Sequence, residues 1–167
     1  HAMLILVFLL SSFTLPENYI SGTGYQFSGT TVIDSKKIDG NNITAWYRNN
    51  GSYHRDPVTG NSGFLWPAGD LHLLTYASGL WIAARSGNDT LLAISEYYYE
   101  YLPGYIDAGG NPQGKDDPAF HVYKISRGDT TGSDYRNWPV SQGAYLNEQR
   151  KPFLPGSQTL FYSITDG

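Results

Sequence analysis

The chain has no cysteine. That removes disulfides, thiolate metal sites and cysteine nucleophiles together, while leaving the compartment open. Charge is scarce as well: 16 % of residues are Asp, Glu, Lys or Arg, against roughly 25 % in an average soluble domain. Basic charge is thinnest, with only the pairs Lys36-Lys37 and Arg150-Lys151 and a formal net charge of −4. Nucleic acid is thereby disfavoured, because its phosphates require a basic stripe. No apolar run approaches the roughly 20 residues of a transmembrane helix. Nor does any stretch keep helical i, i+3, i+4 periodicity over three turns.

What fills the space is glycine (19 residues) and tyrosine (14 residues), with 40 % hydrophobic and 15 % aromatic residues overall. So much apolar material excludes disorder. Short β-branched and aromatic stretches broken by Gly, Asn and Pro predict an all-β chain, an antiparallel β-sandwich with long loops. At 167 residues there is room for one domain with a sizeable core. Residues 31–167 are expected to form that sandwich, and residues 1–30 an extended amino-terminal strand and linker.

The central stretch, residues 76–104, predicts a hairpin: strands over 80–85 and 90–101 joined by Ser86-Gly87-Asn88-Asp89. On its second strand Leu91, Ala93, Ser95, Tyr97, Tyr99 and Tyr101 alternate with Leu92, Ile94, Glu96, Tyr98 and Glu100. The first face is expected to pack on the core. Further strands are expected over 31–33, 43–48, 64–66, 71–77, 120–125 and 158–164. Gly79 suggests a bulge. One helical turn is expected over 134–139, capped by Ser133 or Asp134 and ended by Pro139.

Residues 2–10 are nine unbroken apolar residues. Two readings stay open. One is the hydrophobic core of a signal peptide, usually about 7–15 residues long. The other is a strand buried on both faces. In the second, Met3, Leu4, Ile5, Leu6, Val7, Phe8, Leu9 and Leu10 pair with a neighbouring copy or a sister surface protein, near an accepting edge over 158–164.

From Lys37 onward the chain carries Asp39-x-Asn41-Asn42-Ile43, Asn49-Asn50-Gly51-Ser52, Leu65-Trp66-Pro67, Ala77-Ser78-Gly79-Leu80-Trp81, Glu96-Tyr97 and Pro103-Gly104. Asp117-Pro118, Val122-Tyr123-Lys124-Ile125, Gly128-Asp129 and Asn137-Trp138-Pro139 follow in the same order. In these motifs it resembles the amino-terminal region of large, uncharacterised extracellular proteins of Bacteroidota-type bacteria that end in a type IX secretion sorting domain. The resemblance implies an extracellular or cell-surface address and a structural or adhesive role, and it implies no activity. Those proteins continue past the point matching Gly167 and no sorting domain occurs here, so a fragment, a processed piece or a short subunit is expected.

Individual sites are sparse. Asp107, Asn111, Asp116 and Asp117 place oxygen ligands for calcium within one loop, although their spacing is not that of an EF-hand and Lys115 lies among them. Asn and Asp are also ordinary turn formers. Tyr98 and Trp138 are the aromatics expected to be exposed enough to stack on a polysaccharide. Arg127-Gly128-Asp129 spells an adhesion tripeptide but equally suits a tight turn. Glu96 and Glu100 would stand roughly 13 Å apart along a strand, too far for a glycosidase pair. His54, His72 and His121 are scattered, without zinc spacing. Asn42, Asn50 and Asn88 open Asn-x-Ser/Thr triplets beside turns, which marks exposed loops. The function expected is non-catalytic: a self-assembling structural or adhesive domain, or alternatively a carbohydrate-binding module, with no resident cofactor beyond the calcium loop.

Overall fold

The computed structural model describes residues 31–70, 72–95 and 101–166. The apolar run at residues 3–10, and Tyr98 with the rest of 96–100, lie outside the described residues.

The chain is all-β, with antiparallel pairing throughout the described residues. Its largest sheet is built from the first six strands: β1 (Ser35–Ile38), β2 (Thr44–Arg48), β3 (Ser52–Tyr53), β4 (Phe64–Leu65), β5 (Leu73–Thr75) and β6 (Ser78–Gly79). They run in the order β5-β4-β2-β3-β6, with β1 also paired to β2. The remaining strands form ribbons of two. A hairpin joins β7 (Trp81–Ser86) to β8 (Asp89–Ile94). Then β9 (Leu102–Pro103) pairs with the last strand, β14 (Ile164–Thr165), while β10 (Tyr105–Ile106) pairs with β11 (Pro112–Gln113) and β12 (Tyr123–Ser126) with β13 (Gln158–Phe161).

Gly, Pro and Asn keep most of these strands to two to four residues. Two local expectations of the sequence are corrected by the strand pairing and the helix cap. The expected strand 158–164 is in fact two strands, interrupted at Tyr162 and Ser163 and paired with different partners. The helical turn, α1 (Ser133–Arg136), begins after Gly132 and has no side-chain cap; the Asp134 carboxylate instead reaches across to β1 and β12.

Alternation on β12 sends Tyr123 and Ile125 inward. They pack with Trp138 and Ala144, flanked by Tyr135, Leu146, Leu154 and Phe161. A second aromatic cluster sits on the main sheet, where the Tyr47 and Tyr53 rings lie 5.2 Å apart and His54 lies 4.5 Å from Phe64. The Tyr162 hydroxyl donates to that of Tyr53 at 3.0 Å, and burial holds the Tyr162 phenol well above its ordinary range.

Side chains tie these parts together. Asn49 is fully buried. Its amide nitrogen donates to the carbonyls of Val32 and Phe120, both at 2.9 Å, and its oxygen accepts from the Asp34 N–H at 2.8 Å. Asp34 in turn accepts from the Val122 N–H at 2.9 Å. Asp134 accepts from Lys36 Nζ at 2.5 Å and from the Lys124 N–H at 2.7 Å. Burial alone would raise the Asp134 pKa, but these donors outweigh it and hold the carboxyl below its ordinary value.

Candidate functional site

The β7–β8 hairpin is where the fold departs most from a closed core. Its ladder runs from Trp81↔Ile94 to Ser86↔Asp89, which leaves Gly87 and Asn88 as a two-residue loop. Gly87 has φ 62°, the geometry that a type II′ turn requires at its first central residue. The turn is thus tighter than Ser86-Gly87-Asn88-Asp89.

One face of the ribbon carries Trp81, Ala83 and Leu92, and the other carries Ile82, Ala84 and Leu91. Neither face is covered among the described residues: Trp81 is 61 % and Leu92 48 % exposed, Ile82 49 % and Leu91 57 %. The expectation that the Leu91–Ala93–Ser95 face packs on the core therefore fails for Leu91 and holds only toward the base, at Ser95, which is buried. A lone two-stranded hairpin is marginal in water and gains stability from a third strand or a covered face. Large contiguous patches of exposed apolar surface are a feature of interaction sites in general.

The base of the hairpin is firmly held. Ser95 Oγ donates to the Asn50 carbonyl at 2.8 Å, and the Ser95 N–H to that of Leu80 at 3.0 Å. The Tyr101 hydroxyl donates to the Ala93 carbonyl at 2.8 Å. Beside this base runs a groove of about 320 Å³, lined by Leu80, Ile82, Ala93, Tyr101, Ile106 and Ile164 and by the polar Thr165 and Asp166. Ile82 and Ile106 are both more than two-fifths exposed along it. Ile164 on β14 brings the end of the predicted accepting strand to this groove, whereas β13 is occupied by β12.

The other expected sites resolve differently. Asp107 Oδ1 accepts from the N–H groups of Gly109 and Asn111 and from the Asn111 amide, and Oδ2 accepts from Gln113. These donors, the Asn111 N–H foremost, hold its carboxyl below the ordinary range. Asp116 pairs with Lys115, and Asp117 caps the 3-10 turn Pro118–Phe120 by accepting from the Ala119 N–H. Each carboxylate serves its own turn, and among the described residues no three acidic or histidine side chains gather as metal ligands would.

Trp138 is not the exposed platform expected of it. It is 9 % exposed, lies in the β12 core and donates its indole N–H to the Tyr145 carbonyl at 3.0 Å. In Arg127-Gly128-Asp129 both charged groups are engaged locally: Arg127 donates to the Gly156 carbonyl, and Asp129 accepts from the N–H groups of Thr131 and Gly132. His54 Nδ1 shares a hydrogen bond with Ser78 Oγ at 2.8 Å, but its Nε2 is buried without a partner among the described residues. No carboxylate completes that pair there.

A second recess is formed by residues that no sequence motif brings together. An open cleft of about 520 Å³ lies between Tyr105, the Asp117–Phe120 turn and Ser141, Gln142 and Ser163. Its parts are far apart in the chain, and the only local hint is an aromatic in a short strand. Protein-family models, curated proteins and solved structures contain no match to this chain.

Proposed function

We propose that the chain is a non-catalytic structural domain of a cell surface that assembles by strand addition. The observation behind this reading is the uncovered β7–β8 ribbon with the mainly apolar groove at its base, to which Thr165 and Asp166 add polar atoms. The occupant is the apolar run at residues 3–10 of a second copy. Paired in the ladder direction it supplies the ribbon's third strand, and its alternate side chains enter the groove beside Ile82, Ile106 and Ile164. Left unpaired in water, that run is an aggregation hazard.

Reach permits the exchange. Residues 11–30 separate the run from Thr31; stretched out they span up to roughly 66 Å. The run of one copy thus reaches the groove of the next without the two domains having to touch. Such a contact is heterologous, so it propagates into an open filament unless its rotation closes a ring. The extracellular address rests on the resemblance to secreted surface proteins of Bacteroidota-type bacteria.

Negative-stain electron microscopy of the full chain, beside a chain lacking residues 1–12, tests this reading. Filaments or rings are expected from the full chain and single particles from the shortened one. Single particles from both, or unchanged assemblies from both, would overturn it.

A further inference from the structure

We infer that the cleft at Tyr105 binds a neutral saccharide, as an open subsite for a stretch of polysaccharide about two rings long. This site shares no lining residue with the groove at the hairpin base, although Tyr105 and Ser163 adjoin Ile106 and Ile164 of that groove, and it does not depend on assembly.

Its floor is an aromatic plane held in place from behind. Tyr105 is 51 % exposed, and its ring stacks on that of Phe120, with centroids 5.8 Å apart and planes 30° apart. Phe120 itself is buried, and its carbonyl is fixed by the Asn49 amide at 2.9 Å. A ring so backed presents one face to solvent with little rotamer freedom left to lose on binding. That face suits the C–H side of a pyranose.

The walls carry hydrogen-bonding groups of mixed character. Gln142 closes the 3-10 turn Val140–Gln142. Its amide is already oriented, with Nε2 donating to the Ala119 carbonyl at 2.6 Å and Oε1 accepting from Ser163 Oγ at 3.4 Å. Asp117 uses Oδ1 for the Ala119 N–H at 2.8 Å and retains Oδ2 as an acceptor. Ser141 adds a hydroxyl that both donates and accepts. Sugar hydroxyls, which also do both, match such a set.

Charge narrows the class. Among the described residues Asp117 is the one carboxylate in the lining, and the lining includes no Lys, Arg or His. A phosphate, sulfate or uronic acid would meet a carboxylate with no compensating cation, which disfavours anionic glycans. The cleft is open along one side, so it fits the flank of a chain better than an isolated small molecule.

Affinity electrophoresis of the full chain through gels carrying neutral polysaccharides (xylan, mannan, β-glucan) or anionic ones (alginate, pectate) tests the inference. Retardation is expected on at least one neutral polymer and on neither anionic one. Tyr105→Ala should abolish it by tenfold or more, while Tyr105→Phe and Tyr105→Trp retain it. Because the Tyr105 ring is half-exposed, the alanine variant is expected to fold, which its circular dichroism verifies; should it not, Ser141→Ala and Gln142→Ala must each weaken retention severalfold. Absence of retardation on every neutral polymer, retention on anionic polymers instead, or retention untouched by Tyr105→Ala would each overturn the inference. Mobility is compared with that in a gel free of polysaccharide, for the full chain and for the chain lacking residues 1–12, so failure here and failure of the assembly reading are distinguishable.

Discussion

The Tyr101 hydroxyl donates to the carbonyl of Ala93 at 2.8 Å, joining a buried side chain on the main body to the ribbon that projects from it. Through this bond the exposed strand β8 is tied to a buried side chain. The bond makes the base of the hairpin stiff while its tip stays in water.

Tyr101→Phe removes that bond and keeps the ring. A loss of about 1 kcal/mol is expected, the usual net worth of one such hydrogen bond. Urea unfolding should show the lowered midpoint. Amide hydrogen exchange should place the change at Ala93 and its ladder neighbour Ile82. Unaltered exchange there would mean that the hairpin is held by other contacts.

Asn49→Ala should be far more damaging. It leaves the carbonyls of Val32 and Phe120 without their donor and the Asp34 N–H without its acceptor. The Phe120 carbonyl is buried and would cost roughly 1–3 kcal/mol unpaired, and the half-buried Val32 carbonyl and Asp34 N–H add less, so a loss of about 3 kcal/mol is expected. Thermal unfolding checks it. A shift no larger than that of a surface substitution would refute the bridging role given to this side chain.

Gly104 allows no side chain. Its φ is 131°, and a Cβ there would stand 1.8 Å from the Gln113 carbonyl oxygen on the paired strand. Backbone cannot swing aside as a side chain can, so Gly104→Ala must separate the β10–β11 ribbon. Because Tyr105 sits on that ribbon, loss of stability should be accompanied by loss of polysaccharide retention. Wild-type stability in this variant, measured by calorimetry, would contradict the geometry.

His54 makes stability depend on pH near neutrality. Burial disfavours its imidazolium, so its folded pKa lies below the ordinary 6.5. The unfolded chain therefore takes up the proton first as pH falls. The His54 contribution is full above about pH 6.5 and is lost as the pH descends through the lower folded value. His54→Asn, which tolerates the positive φ of 62° at this position, should flatten the dependence between pH 7.5 and 5.5. An equally steep melting-temperature profile in the variant would assign the effect to another group.

Much of the local structure is legible in the chain. β-branched and aromatic residues mark β2, Asn49-Asn50-Gly51 marks the turn after it, and Gly87-Asn88 marks the hairpin tip. Alternation along β8 gives its two faces correctly but cannot say whether either is covered, since Leu91 and Leu92 look the same in sequence whether buried or bare. Trp138 was equally ambiguous: its burial follows from an indole N–H that finds the Tyr145 carbonyl, a contact set by the 3-10 turn between them. The split of β13 from β14 follows from a change of partner at Ser163, whose carbonyl accepts from the Gly104 N–H at 3.1 Å. The Tyr105 cleft draws on four separate segments of the chain, and no pattern within any one of them announces it.

Assembly by strand addition requires residues 3–10 of one copy to lie along the hairpin of another. Because the chain has no native cysteine, single introduced thiols report this directly. Chains carrying Leu6→Cys are mixed with chains carrying Leu92→Cys and mildly oxidised, each type also being oxidised alone. The account predicts a disulfide-linked heterodimer that dominates the mixture and forms well above the yield of either homodimer. Cross-links no more frequent between the two types than within each, or a double variant that closes its bond only within one chain, would contradict it.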